Sequence, residues 1–204
     1  MGSSSPNKRR YHHGGLSEAL VQAGIDILTE GGIGQFTLRE CARRVGVSHA
    51  APKNHFPTVD HLKSEIGARG FEQMVRELAV AADAAAGQSA DSRFIAMGIA
   101  YVRFATANPA AYQMMFRDQQ GFACTPRFLE AAEAAWDQLE EAVAAVIGLD
   151  RPDVEARAAH AFALVHGFAS LIIDGRLPPD LATDQVIAQS LESLPDALRG
   201  VGTA

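Results

Sequence analysis

Strand-forming patterns are scarce in this chain. β-Branched residues do not gather in alternating runs and alanine is abundant, so no sheet is expected. Cysteine is nearly absent: Cys41 and Cys124 are far apart and lack metal-ligand spacing, so Cys41 reads as a small core residue and Cys124 as a loop thiol. His12-His13 has no partner ligands at helical spacing and reads as a polar pair, so no metal is expected. No apolar run reaches about 18 residues and no signal-peptide pattern opens the chain, so neither a membrane span nor a membrane partner is expected. The expected compartment is the bacterial cytoplasm. Catalytic signatures are missing too. There is no G-x-S-x-G elbow, glycine-rich phosphate loop or H-E-x-x-H pair, and no paired carboxylates stand in a recognisable setting. His160 and His166 are six positions apart and point in different directions on one helix. An enzyme is therefore not expected, and no cofactor is implied.

What is present is a pair of short helical segments joined by a glycine turn. Phe36-Thr37-Leu38-Arg39-Glu40-Cys41-Ala42-Arg43-Arg44-Val45-Gly46-Val47-Ser48 is followed by Ala50-Ala51-Pro52-Lys53-Asn54-His55-Phe56. Thr37 and Glu40 form T-x-x-E, a capping box, and Phe36 and Cys41 stand at staple positions across that start. Leu38, Cys41, Ala42 and Val45 fall on one helical face. Ala42 is small where a second helix would cross. Gly46 follows the last turn, where a left-handed conformation favours glycine, and Ser48 can cap the next helix. This is the layout of a helix-turn-helix, which sets one helix in the DNA major groove. Pro52 lies in the first turns of the second segment. It removes a backbone donor and disfavours helical geometry at Ala51, so a helix with a distorted start is expected.

Charge is distributed unevenly. The whole chain has a formal charge of −6, yet residues 1–70 hold nine Lys or Arg against six Asp or Glu, and five of the seven histidines. A basic amino-terminal module on an acidic body suits a DNA reader joined to a different domain. Lys8, Arg9 and Arg10 form a basic arm able to track phosphates or enter a minor groove. Met1 to Asn7 is polar and expected to be unstructured.

Helical patterns fill the rest. The reading gives a flexible arm over 1–15, a DNA-binding domain over 16–62, a connector helix over 59–85, and a ligand-binding and dimerisation domain over 86–204. Helices are expected at about Leu16–Glu30, Val59–Ala85, Arg93–Asn108, Ala110–Phe116, Thr125–Ile147, Asp153–Asp174 and Thr183–Leu194. Gly31-Gly32, Pro57-Thr58, Gly87–Ala90, Pro109, Gly148–Pro152 and Gly175–Pro179 punctuate them.

The stretch from Leu16 to Leu62, with its T-L-R-E-C-A-R-R-V-G-V-S hairpin and its H-F-P-x-x-x-x-L exit, resembles the tetracycline-repressor (TetR) family of bacterial transcriptional regulators. His160-Ala161-Phe162-Ala163-Leu164-Val165-His166-Gly167-Phe168-Ala169-Ser170-Leu171 is similar to its Trp-His-Gly subgroup, with Phe162 where tryptophan is expected. The resemblance implies an all-α homodimer of omega shape. Three amino-terminal helices bind DNA, and the remaining helices form a ligand and dimer domain in which two carboxy-terminal helices per subunit build a four-helix interface. Ala159, Ala163 and Gly167 recur every four residues near Ser170 and Leu171. That stripe fits either tight packing within one subunit or a dimer interface, and the resemblance favours the dimer. Two-fold symmetry then predicts a palindromic double-stranded DNA operator.

Roles follow by position. Thr37 caps its helix and, by the resemblance, touches a phosphate. Arg39 is the residue of its helix placed to reach a base edge. Arg43 and Arg44 read as phosphate contacts or solvated charges. His49, Ala50, Lys53, Asn54 and His55 are exposed candidates, with Asn54 suited to adenine, Lys53 to guanine and Ala50 to a thymine methyl. His55 matches a family histidine that meets the DNA backbone, and Lys63 is placed for a phosphate. Lys53 stands where the family usually has an aromatic residue. In the body, Met97, Tyr101, Phe104, Met115, Phe116, Trp136 and Phe162 are candidates either for core packing or for lining a pocket for an apolar or aromatic small-molecule effector. His166 either donates to that ligand or satisfies a buried carbonyl. The expected mechanism is repression relieved when effector shifts the connector helix. An activator or ligand-independent DNA-binding protein is the alternative.

Overall fold

In a computed structural model, residues 13–117, 124–148 and 151–200 are described, and they contain helices and turns with no strand. The basic arm of Lys8, Arg9 and Arg10 lies outside the described residues. Helix α1 (His13–Gly31) is followed by a 3₁₀ turn (Ile33–Gln35) and α2 (Leu38–Val45). A second 3₁₀ turn (Ala51–Asn54) precedes the long α3 (Val59–Ala84). Next come α4 (Ala90–Ala107) and α5 (Pro109–Tyr112), which continues as a π-helical turn (Gln113–Arg117). Beyond these are α6 (Pro126–Ile147), α7 (Val154–Ile173), a 3₁₀ turn (Pro179–Leu181), α8 (Asp184–Glu192) and α9 (Leu194–Arg199).

Helix starts follow side-chain chemistry. The hydroxyls of Thr37, Ser89, Thr125 and Thr183 each accept from a backbone N–H three residues on, satisfying a donor that has no partner inside the helix. The expected helix Thr183–Leu194 ends as α8 at Glu192, and a further short helix follows it. Pro195 lacks the N–H that would extend α8, so α9 begins anew with that proline in its first turn.

Two apolar clusters organise the chain. The head cluster joins Leu20, Ile27 and Leu28 of α1, Phe36, Cys41 of α2, Phe56, and Leu62 and Ile66 of α3. Ala110 and Met114 reach it from the body side. The body cluster begins at Ala68 on the same α3 and gathers α4, α6, α7, α8 and α9. α3 thus contributes its first half to one core and its second half to the other. Arg69 strengthens the junction by bonding Glu18 of α1 at 2.5 Å and Glu65 at 2.7 Å. Arg127 of α6 reaches Glu65 at 2.7 Å and Glu72 at 3.0 Å on α3.

α7 corrects the membrane expectation. An 18-residue window within Val154–Ile173 has a mean hydropathy of 1.4, so this helix is long and apolar enough to cross a membrane, and only 22% of the window is buried. Arg157, His160 and His166 interrupt it, so it does not read as an unbroken apolar run. Its inner face, Ala158, Ala161, Val165 and Ala169, packs in the body core.

Candidate DNA-reading surface and apolar cavity

The head presents its candidates on a tight frame. The Thr37 hydroxyl accepts from the Glu40 N–H at 3.1 Å. The reciprocal half of the capping box is replaced, because the Glu40 carboxylate accepts from Arg43 at 2.8 and 2.6 Å. These guanidinium contacts hold Glu40 below the ordinary carboxylate range, chiefly through the bonds from Arg43. Gly46 closes α2 with φ 75° and ψ 30°, a left-handed conformation in which a side chain would be strained. Val47 then donates to the Ala42 carbonyl at 3.0 Å, so the chain turns directly into the reading segment.

That segment is not the expected α-helix. Ala51 donates to Ser48, Lys53 to Ala50 and His55 to Pro52, all with three-residue spacing, and the result is a four-residue 3₁₀ turn. Pro52 is buried, supplies no N–H and restricts Ala51, so the segment tightens. Ser48 does not act as its cap: the N-cap is Ala50, with no side-chain bond. His49, Ala50, Lys53 and Asn54 are exposed in succession, with Ser48 beside them and His55 half-buried.

The cations divide. Arg39 and Lys53 are exposed and form no ion pair among the described residues. Arg44 is instead tied down. It bonds Glu30 of α1 at 2.6 Å and lies 3.6 Å from Glu40. The pair with Glu30 ties α2 to α1. Lys63 lies 3.7 Å from Asp60 and has its side chain largely covered.

The body encloses an apolar cavity of about 290 Å³ between α3, α4, α6, α7, α8, α9 and the π-turn. Met97, Tyr101, Phe116, Trp136 and Phe162 all line it. Phe162 sits at the hub, with ring centroids 6.2 Å from Tyr101, 6.2 Å from Trp136 and 5.9 Å from Phe116. Three candidates are placed elsewhere. Phe104 is packed in the body core and Met115 is fully buried beside Gly70. His166 lies behind Phe116 and Phe162, and its Nδ1 is 3.0 Å from the Tyr101 hydroxyl.

His166 belongs to a polar chain within the body. The Tyr112 hydroxyl is 3.1 Å from its Nδ1 and 2.8 Å from Ser170 Oγ. Burial, with the neighbouring Tyr112, pushes the Tyr101 phenol well upward, so it stays neutral. Ser170 thereby turns its hydroxyl toward Tyr112 in the body. Ala159, Ala163 and Leu171 do lie on the outer face of α7, and a Cβ at Gly167 would meet nothing within 4 Å.

Phe71, Met74 and Leu78 of α3, Phe94 of α4 and Leu139 of α6 also line the cavity without having been singled out in the sequence. The signal was available: 71, 74 and 78 continue the apolar stripe of α3 at helical spacing beyond its head contacts.

Residues 94–197, just over half of the chain, match a family profile described as the tetracycline-repressor-like carboxy-terminal domain. A solved protein of unknown function from Rhodococcus sp. RHA1 is 30% identical, with a TM-score of 0.81 over 94% of this chain and 100% of that one. A TetR-like transcriptional regulator from the same organism shares the fold at 18% identity and a TM-score of 0.69, covering 94% and 100% of the two chains. YobS, an uncharacterised helix-turn-helix-type transcriptional regulator of Bacillus subtilis (strain 168), is 25% identical over 100 residues. That alignment covers 48% of this chain and about half, 51%, of YobS. An all-α DNA-binding regulator is the class these features define. The chain belongs to the tetracycline-repressor-like family of transcriptional regulators. The matched description names no Trp-His-Gly subgroup.

Proposed function

We propose that the chain is a ligand-responsive repressor that binds a palindromic operator as a homodimer and releases it when an apolar small molecule enters the body. The observation that carries this reading is the sharing of α3. Leu62 and Ile66 sit in the head core, while Phe71, Met74 and Leu78 of the same helix line the cavity. A ligand that displaces the second half of α3 moves the support of the reading turn. A coupling of about 1–3 kcal/mol suffices to change occupancy five- to a hundredfold.

In this reading residues 16–62 form the DNA-binding domain, 59–85 the connector and 86–204 the ligand and dimer domain. Arg39, Lys53, Asn54, His49 and Ala50 meet base edges, and Thr37, Ser48, His55, Lys63 and the arm of Lys8, Arg9 and Arg10 meet the backbone. The outward stripe of α7, Ala159, Ala163, Gly167 and Leu171, is covered by a second copy. Small side chains allow close helix approach there, while the inward polar chain at His166 and Ser170 suits packing in a helix bundle rather than contact with lipid. The cytoplasm is the corresponding compartment.

Sequencing the duplex fragments retained by the purified protein tests the reading, and paired half-sites a whole number of helical turns apart are expected. Replacing Lys53 and Asn54 together by alanine relaxes base preference by about 1–3 kcal/mol per lost bidentate contact. A monomer that retains no duplex at low salt overturns the proposal. Retention of a palindrome that no ligand releases points to the ligand-independent alternative.

A further inference from the structure

The cavity has a polar neighbour. A second space of about 340 Å³ opens beside it between the end of α3, the start of α4 and the middle of α6. Phe94, Met97 and Ala142 line both spaces, so a single layer of side chains separates them. Met97 is unbranched and conformationally adaptable, which makes it the movable part of that wall. Beyond the wall stand Asp83, Arg93, Gln138 and Glu141. Among the described residues Asp83, Arg93 and Glu141 form no ion pair, so the charges of this rim are unpaired.

The polar groups lining the apolar cavity itself are already satisfied. The Tyr101 hydroxyl meets His166 at 3.0 Å, and the Trp136 indole N–H donates to Glu140 at 2.7 Å. Gln138 differs. Its amide N–H donates to the Val75 carbonyl at 3.0 Å, but its Oε1 is buried without a partner. An unmet buried acceptor gains from a donor brought to it.

From this juxtaposition, and resting on the reading of the cavity as the effector site, we propose that the effector is amphipathic. Its apolar portion fills the cavity, and an uncharged hydrogen-bonding head of hydroxyl or amide type passes the Phe94–Met97–Ala142 wall into the groove. The rim offers both a donor, Arg93, and acceptors, Asp83, Glu141 and Gln138. A group that donates and accepts is served by both kinds, without the desolvation cost that a full charge of either sign carries past the apolar wall. At about 30 Å³ per water-sized group, 290 Å³ accommodates roughly ten such groups, so a chain of about eight carbons fits.

Trp136 is the only tryptophan and lines the cavity, so its emission reports occupancy directly. The test titrates the full chain with octan-1-ol, octanoate, octylammonium and toluene. Octan-1-ol is expected to saturate the change in emission and to bind roughly fivefold or more tighter than either charged analogue. Glu141 is exposed, and Glu141→Lys turns the formal charge of the rim from minus one to plus one. Octanoate should then gain roughly fivefold relative to octan-1-ol. If probes bind but the variant leaves that ratio unchanged, or if octanoate equals octan-1-ol in the parent chain, the head is not in the groove and the inference falls while the cavity reading stands. If no probe, toluene included, alters Trp136 emission, the cavity reading itself falls.

Discussion

Removing one hydroxyl, by Tyr112→Phe, tests the polar chain that joins α5 to α7. Tyr112 is 1% exposed, and its hydroxyl lies within 3.2 Å of both ring nitrogens of His166 and 2.8 Å from Ser170 Oγ. The substitution keeps the ring and its packing against Phe116, at a centroid distance of 5.1 Å, so little cavity forms. What changes is hydrogen bonding. Ser170 loses this partner, and His166 keeps Tyr101. Leaving a partly buried polar group unmet costs about 1–3 kcal/mol. In a chain of this size about 2–4 °C of Tm accompanies each kcal/mol, so a fall of roughly 2–12 °C is expected. Thermal and urea unfolding followed by circular dichroism measure it. The cycle with Ser170→Ala isolates the pair, because once the tyrosine hydroxyl is gone the serine hydroxyl has less to lose. A coupling of about 0.5–1.5 kcal/mol is expected. Strict additivity, or a Tm within 1 °C of the parent, refutes a role for this hydroxyl chain in fixing α7 to α5.

Two other perturbations read the packing of the head and of α3. Burial raises the Cys41 thiol from its ordinary 9.0 to about 11. The native state holds that proton more tightly than the unfolded chain, so the stabilisation is complete below about pH 9 and is lost as pH rises toward 11. At pH 8 a thiol reagent should modify Cys124 first and Cys41 only at the rate of unfolding, and equal rates would contradict the buried placement. On α3, a Cβ at Gly67 would lie 2.5 Å from the Phe128 ring and 3.1 Å from the Met114 carbonyl oxygen. A Cβ at Gly70 would meet the flexible Met115 side chain at 2.6 Å. Gly67→Ala should therefore cost about 1–3 kcal/mol by overpacking, and Gly70→Ala less, because methionine can repack and helix propensity favours alanine. A Gly67→Ala protein as stable as Gly70→Ala in urea would show that α3 has slack at this contact.

The helical architecture was legible wherever local chemistry sets it. Thr37, Ser89, Thr125 and Thr183 cap helices through contacts three residues long, and Gly46 takes the left-handed turn that its position announces. The reading segment was less legible. Pro52 signalled a disturbed helix, but the outcome rests on burying its ring in the head, a tertiary effect that turned distortion into a 3₁₀ turn. Arg44 illustrates the same limit. Its partner Glu30 is fourteen positions away on another helix, and no helical spacing pairs them. In the body, apolar residues could be named, but core and cavity wall share one composition. Phe104 and Phe116 differ in where the surrounding helices leave space, which no single-residue property encodes. The polar chain of Tyr101, Tyr112, His166 and Ser170 joins residues up to 65 positions apart, so it emerges only once α4, α5 and α7 meet.

The π-turn spans the distance between the cavity and the head. A π-helical turn carries one extra residue per turn relative to an α-helix, which rotates the following side chains and lets neighbours in sequence face different cores. Here Met114 is fully buried in the head cluster, Met115 is fully buried in the body cluster, and Phe116 lines the cavity. Three consecutive residues thus touch three environments. Packed interiors deform little, so in the proposed mechanism a ring displaced at Phe116 is felt two residues away at Met114. The same turn abuts α3 at Gly70 through Met115, and Phe128 of α6 closes on Gly67. α3 is therefore held from two sides just below the point where Ile66 enters the head core. The absence of side chains at these two positions brings the helix and its neighbours into direct contact, on which the proposed coupling of cavity and head relies.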